Sequence, residues 1–145
     1  MLIVNLNIRG VGGSTKARYL RKIIASEGAN FVCIQETKLS TFTDARGFSL
    51  WRDNNVGWVH YRGDNGSGSL LTMWHKDVFS YESHEIGKGF IVVVGQHFKC
   101  SRRCVVVNVY SACSLREKIA LWGNFLLSKW LLWTHFGAFV VTLMP

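Results

Sequence analysis

The chain has 145 residues, which suits one globular domain with a real core. Hydrophobic residues make up 48% and charged residues 18%, and there are no internal repeats or low-complexity linkers, which excludes a repeat protein and a disordered chain. The net charge of +8 favours a polyanionic partner, although a solvated basic face without a partner would have the same composition.

The first part of the chain is predicted to alternate strand, helix and strand. We predict a strand over Leu2–Ile8 and a helix over Thr15–Ser26, where apolar residues recur at helical spacing and Gly28 ends the helix. Phe31–Gln35 is a nearly continuous apolar run, as expected of a strand that is covered on both faces. The stretch Ser40–Asn55 is predicted to be mostly loop.

The second part is predicted to contain two antiparallel pairs and a helix. Gly57–Tyr61 and Ser69–Trp74 form one pair, Phe90–Phe98 and Arg103–Tyr110 form the other, and Leu115–Lys129 is the helix. Hairpins mixed with helices favour the α/β class. We therefore predict a partial α/β sandwich of mixed, largely antiparallel sheets with flanking helices.

The last residues form a separate apolar segment. From Trp130 to Met144 the only polar side chains are Thr134, His135 and Thr142. A membrane-spanning helix needs ~20 apolar residues, which this run does not reach, so a helix end followed by a buried strand is the better interpretation. No membrane partner is expected.

The four cysteines are expected to be reduced thiols, because no signal segment precedes the domain. His97, Cys100 and Cys104 have a spacing that suggests a zinc site. The three residues fall across a predicted hairpin turn, however, where strand alternation separates their side chains, so no zinc is expected. Cys33 lies within the apolar strand and is predicted to be a core residue.

Polar side chains stand at the ends of three predicted strands. Asn7 stands in Asn-Ile-Arg-Gly, Glu36 stands in Gln-Glu-Thr, and Asn108 and Tyr110 stand in Asn-Val-Tyr-Ser. A carboxylate at the end of a buried strand can hold a divalent cation. The alternatives are purely structural roles: Asn7 as a turn residue, Glu36 as a helix cap or ion-pair partner, and Tyr110 as an aromatic side chain at the protein surface.

The order of these motifs, NIRG, QET and NVYS, resembles that of the endonuclease/exonuclease/phosphatase superfamily. More narrowly, it is similar to the endonuclease domain of plant LINE-type (non-LTR) retrotransposons. The resemblance extends from about Met1 to about Leu127. Leu6 replaces a usual Trp, Ala112 a usual Pro, and His75 stands where an acidic residue is common.

The resemblance implies a Mg²⁺-dependent phosphodiesterase that nicks DNA. Glu36 would coordinate Mg²⁺ with Asn7 beside it, Tyr110 would donate a hydrogen bond to the phosphate, and Asn108 would support the strand end. Basic candidates for contact with nucleic acid are Arg9, Lys38, Arg102 and Arg103. The partner would be DNA and the location intracellular, in the nucleus if the retroelement origin holds; no obligate protein partner is inferred.

Two further motifs of that family, GDFN and SDH, do not occur in the chain. We therefore interpret residues 1–129 as a partial domain that lacks half of the catalytic motifs, and residues 130–145 as a divergent, frameshifted tail. Val140–Pro145 can be encoded so that a shifted reading frame gives GDFNA; the alternative is an ordinary buried segment. The chain is expected to be inactive, with a basic nucleic-acid-binding module and a complete small hydrolase as alternatives.

Overall fold

Two four-stranded sheets pack face to face in the computed structural model. It describes residues 1–64, 67–99, 101–110, 114–127 and 138–144, of which 125–127 and 138–144 are described by their backbone. The elements in chain order are β1 (Ile3–Asn7), α1 (Ser14–Glu27), β2 (Phe31–Gln35), α2 (Asp44–Trp51), β3 (Val56–Tyr61), β4 (Leu70–His75), β5 (Phe79–Gly87), β6 (Phe90–His97), β7 (Arg102–Tyr110), α3 (Leu115–Leu127) and β8 (Ala138–Met144).

The first sheet has the strand order β1-β2-β4-β3, with β1 and β2 parallel and the other pairs antiparallel. Every residue of β2 is buried because both of its faces are covered. Val32 and Ile34 pack with Leu20 and Ile24 of α1 on the outer face. Phe31 points the other way, into the core between the sheets. This alternation explains why β2 is apolar throughout.

The second sheet has the order β5-β6-β7-β8, in which β5, β6 and β7 are antiparallel neighbours and β8 runs parallel to β7. Its outer face carries an apolar cluster that includes Leu121 of α3. The predicted fold class is confirmed, as are both antiparallel pairs and the end of α1 at Gly28, which has a left-handed conformation.

Two elements were missed by sequence reasoning. The stretch Ser40–Asn55, expected to be loop, contains α2, whose first turn is capped by the Thr43 side chain accepting from the backbone N–H of Arg46 at 3.4 Å. The strand β5 was not predicted because most of its side chains are polar, and only Phe79 is buried, as suits the edge of a sheet. The apolar face of α2 is short, since the helix has 8 residues.

The cysteines and the tail are only partly covered by the described residues. Cys33 is fully buried, as predicted, and Cys104 is buried as well, whereas Cys100 lies outside the described residues. Of the tail, residues 130–137 and 145 also lie outside them. In the described part of the chain, no helix is long and apolar enough to cross a membrane.

Arg52 offers a test of the local backbone. It ends α2 with φ of 62°, a left-handed conformation that costs a residue with a Cβ about 1–2 kcal/mol, and its side chain is exposed. We expect Arg52→Gly to raise the free energy of unfolding by about 0.5–1 kcal/mol in urea titrations. Ala45→Gly, inside the same helix, should lower it. Equal effects of the two changes would contradict the assigned conformation.

Candidate active site at the strand ends

Asn7 and Glu36 meet where the parallel strands β1 and β2 end. Asn7 and Gln35 are register partners, so the residues that follow both strands emerge at the same edge of the sheet. The Asn7 amide donates from Nδ2 to Glu36 Oε1 at 3.2 Å, and both side chains are half-buried. The structure thus brings together the two residues that the motifs assign to the metal.

The second sheet reaches the same edge through β7, which ends at Tyr110. Gln35 is fully buried and its Nε2 donates to the carbonyl of Val109 at 2.9 Å and to Asn108 Oδ1 at 3.3 Å. Asn108, also fully buried, donates from Nδ2 to the carbonyls of Ile34 and Leu71 at 3.4 and 3.2 Å. These side chains join the two sheets just behind Glu36 and Tyr110.

The loops around Glu36 have an unusual backbone. Arg9, Glu36 and Lys38 have φ of 45°, 54° and 54°, although each carries a Cβ. Such conformations cost of order 1–3 kcal/mol each and persist only where the surroundings enforce them. Here the backbone N–H of Gly10 donates to the carbonyl of Glu36 at 2.6 Å.

Two further contacts brace these loops. Lys16 Nζ donates to the carbonyls of Ile8 and Arg9 at 2.8 and 2.9 Å, which holds the turn after β1. The backbone N–H of Lys38 donates to Ser69 Oγ at 2.7 Å, which ties the turn after β2 to the start of β4. The Glu36 carboxylate is therefore held by a constrained backbone.

The oxygen atoms of this pair fit part of a divalent-cation site. Asn7 Oδ1 is buried and has no hydrogen-bond partner, and the Glu36 carboxylate lies next to it. Mg²⁺ prefers oxygen ligands and is usually held by one or two carboxylates, with waters and phosphate oxygens completing its shell. Within the described ranges no group of three His, Cys, Asp or Glu residues could hold a metal, so these two side chains would supply only a part.

The basic candidates divide into two groups. Arg9 and Lys38 are exposed, and they belong to the two loops that the hydrogen bond from Gly10 N–H to the Glu36 carbonyl joins. Arg102 and Arg103 begin β7, and Tyr110 ends it, so about 25 Å separates them at the usual rise per residue. Arg103 Nη2 pairs with Glu82 Oε2 at 2.8 Å. The structure does not bring Arg102 and Arg103 to the strand-end site.

A pocket of about 280 Å³ opens beside Tyr110. Its lining includes Asp64, which pairs with Lys88 Nζ at 2.9 Å and accepts a hydrogen bond from the Tyr61 hydroxyl at 3.4 Å. Burial raises the pKa of the Tyr61 phenol. The hydrogen bond between Lys88 and Asp64 lowers the pKa of the carboxyl and raises the pKa of the amine.

Sequence reasoning gave no role to Gln35, Lys16 or Ser69. Gln35 stands in the QET motif. A polar residue within an otherwise apolar strand could have predicted a buried hydrogen-bond network, because a buried amide needs partners. The sequence carried no comparable signal for Lys16, whose ammonium reaches backbone carbonyls rather than a charged partner.

Two face-to-face sheets thus form an α/β sandwich that carries the Asn7–Glu36 pair and the end of β7 at one edge. The chain belongs to the Endonuclease/Exonuclease/phosphatase family, whose sequence pattern matches residues 4–141. Membership of the superfamily, predicted from the motifs, is thereby confirmed. No curated protein sequence matches the chain.

Solved structures share this fold. The catalytic domain of Xenopus laevis APE2 superposes with a TM-score of 0.71 at 16% identity, covering 99% of this chain and 57% of that one. The human Nocturnin catalytic domain gives 0.69 at 12% identity, covering 97% and 62%. D. rerio TDP2, complexed with single-strand DNA product, gives 0.63 at 14% identity, covering 97% and 58%. The chain thus spans 57% to 62% of the length of these structures.

Proposed function

We propose that this chain is part of a Mg²⁺-dependent DNA-nicking endonuclease from a plant LINE-type retrotransposon, and that it contains the residues that bind the metal. We also propose that these 145 residues alone do not cleave DNA. The observation that carries the proposal is the hydrogen-bonded Asn7–Glu36 pair at the ends of two parallel strands. Membership of a family of nucleases and phosphatases supports a phosphodiester as the substrate.

Each residue has a distinct role in this proposal. Glu36 and Asn7 would hold Mg²⁺, which when bound polarises the scissile phosphate and offsets charge on the leaving oxygen. The Tyr110 hydroxyl donates a hydrogen bond to the phosphate. Gln35 and Asn108 keep the ends of β2 and β7 together, as their buried hydrogen bonds allow.

The proposal of inactivity rests on the chemistry that the motifs supply. Phosphodiester hydrolysis needs a group that orients the attacking water and groups that stabilise charge on the phosphate. The motifs that would provide them, GDFN and SDH, do not occur in this sequence. Removing one such group costs about 10²–10³ in rate, and removing several that act together abolishes most of the catalysis.

DNA is the proposed partner because of charge and family. The net charge of +8 attracts a polyanion, and Arg9 and Lys38 are exposed in the loops that follow Asn7 and Glu36. The related D. rerio structure contains single-strand DNA product. A basic module that binds nucleic acid without cleaving it would share these features, so cleavage must be assayed separately from binding.

A plasmid-nicking assay with Mg²⁺ separates these possibilities. We expect no nicking of supercoiled DNA above the level of Glu36→Ala, and DNA binding by both proteins that weakens steeply with salt. Nicking that Glu36→Ala abolishes would contradict the proposed inactivity and establish a complete small hydrolase. Absence of salt-dependent binding would contradict the DNA partner.

The retrotransposon origin has its own test. The strand β8 runs parallel to β7, so its carboxyl end reaches the edge where Tyr110 lies, which is where a strand ending in GDFN would bring its Asp and Asn. We expect the nucleotides that encode residues 136–145 to read GDFN in a shifted frame, followed by SDH and a reverse transcriptase. A meaningless shifted frame would contradict this origin and the nuclear location proposed with it.

A further inference from the structure

The pocket beside Tyr110 has no role in the chemistry described above. It lies among the end of β3, the turn between β5 and β6, the end of β7 and α3. We propose that it binds the nucleobase of a nucleotide adjacent to the scissile phosphate, with a preference for bases that carry an exocyclic amino group. Its placement next to a scissile phosphate rests on the proposed function, but the binding of a base does not require cleavage.

Two glycines let side chains of the pocket pack closely against the backbone. A Cβ at Gly68 would lie 3.1 Å from Tyr110 Cδ1, and a Cβ at Gly89 would lie 3.2 Å from Leu121 Cδ1. Both glycines have positive φ, 66° and 83°, so a side chain at either position would be strained as well as crowded. The Tyr110 ring and the Leu121 side chain therefore lie directly against glycine backbone.

The walls and the rim differ in chemistry. Tyr61, Tyr110 and Leu121 contribute apolar surface, and stacking a base on an aromatic side chain is worth about 1–3 kcal/mol. The rim carries two carboxylates, Asp64 and Glu117, against one ammonium, Lys88. That balance disfavours a phosphate inside the pocket and suits a neutral base. Carboxylate oxygens accept hydrogen bonds from amino groups, which explains the expected preference.

Hydrogen bonds connect the wall of the pocket to the residues that follow Glu36. Gly68 lines it, and the next residue, Ser69, accepts hydrogen bonds from the backbone of Thr37 and Lys38, directly after Glu36. Tyr110 lines it from the other side, directly after Val109, whose carbonyl accepts from Gln35. A base in the pocket would leave its phosphate at the edge where Arg9 and Lys38 are exposed.

A substitution on α3 tests the pocket without touching Glu36. Ala120 lines the pocket and is exposed, so Ala120→Trp should fill it; Ile119→Trp places the same side chain at a neighbouring position that is 65% exposed and does not line the pocket. Deoxyadenosine, deoxycytidine and thymidine are titrated while the amide signals of Gly68 and Gly89 are followed by NMR. Inorganic phosphate serves as the anion probe.

We expect the unaltered chain and Ile119→Trp to bind deoxyadenosine and deoxycytidine more tightly than thymidine, and Ala120→Trp to bind all three at least about tenfold more weakly. Thermal unfolding of the two variants should match, which excludes a folding defect. Equal nucleoside affinity in the two variants, or phosphate shifting Gly68 and Gly89 as much as a nucleoside does, would overturn the proposal. Failure of metal binding at Glu36 with nucleoside binding intact would instead count against the proposed function.

Discussion

Asn108→Leu is expected to lower the free energy of unfolding by about 3 kcal/mol, one of the largest effects of a single substitution in this chain. Asn108 is fully buried, and its amide donates to Ile34 and Leu71 carbonyls and to Thr72 Oγ1 while its oxygen accepts from Gln35. Leucine has a similar volume but no donor, so those buried groups of the opposite sheet lose a partner. Urea unfolding followed by tryptophan fluorescence measures the change.

A double-mutant cycle with Gln35→Leu isolates the polar link between the sheets. Gln35 Nε2 donates a buried hydrogen bond of 3.3 Å to Asn108 Oδ1, and Gln35 Oε1 is buried without a partner. Removing both amides should therefore cost less than the sum of the single changes, by about 1 kcal/mol or more. Asn5→Leu, which removes only a marginal 3.5 Å contact to Gln35 at a half-buried position, is the control and should cost less than about 1 kcal/mol.

Additive single effects would show that the amides act independently, and a small cost for Asn108→Leu would show that the link does not hold the sheets together. If the cycle behaves as expected, the same network positions two functional groups. Gln35 is directly followed by Glu36, and Val109, which accepts from Gln35, is directly followed by Tyr110. A loss of the link would then also disturb the proposed metal and phosphate contacts.

The sequence predicted the elements whose pattern is local. The apolar run Phe31–Gln35 and the glycine that ends α1 are signals carried by neighbouring residues, and both elements lie where expected. Elements that depend on their surroundings were missed: α2 has one short apolar face, and β5 is an edge strand with mostly polar side chains. The distance between Arg103 and Tyr110 could be predicted from the sequence, because the two residues lie at opposite ends of one predicted strand.

The candidate site was predictable in its residue types but not in its geometry. The order of the motifs predicts that Asn7 and Glu36 stand at strand ends, and parallel pairing of β1 and β2 brings them together. Nothing local indicates that β7 stacks across β2, so the Gln35–Asn108 contact becomes visible only in three dimensions. The left-handed conformation of Glu36 could not be predicted either, because glycine is the residue that usually indicates a positive φ.

Glu36→Gly is expected to weaken metal binding without lowering the free energy of unfolding. Its φ of 54° costs a residue with a Cβ about 1–2 kcal/mol, and glycine relieves most of that strain. The lost hydrogen bond from Asn7 offsets part of the gain, so the free energy of unfolding should be unchanged or higher by up to about 1 kcal/mol. Removing the carboxylate should weaken Mn²⁺ binding, measured by the relaxation of water protons, at least about tenfold.

Two matched variants separate the carboxylate from the backbone. Arg9→Gly relieves similar strain, at φ of 45° and an exposed position, but keeps the carboxylate, so Mn²⁺ binding should persist. Glu36→Ala removes the carboxylate and keeps the strain, so its stability should fall below that of Glu36→Gly by about 1 kcal/mol. Unchanged Mn²⁺ binding in both Glu36 variants would exclude this carboxylate as a ligand. A clear loss of stability in Glu36→Gly would mean that the Asn7–Glu36 contact stabilises the fold, and that Glu36 is not a residue held under strain for its function.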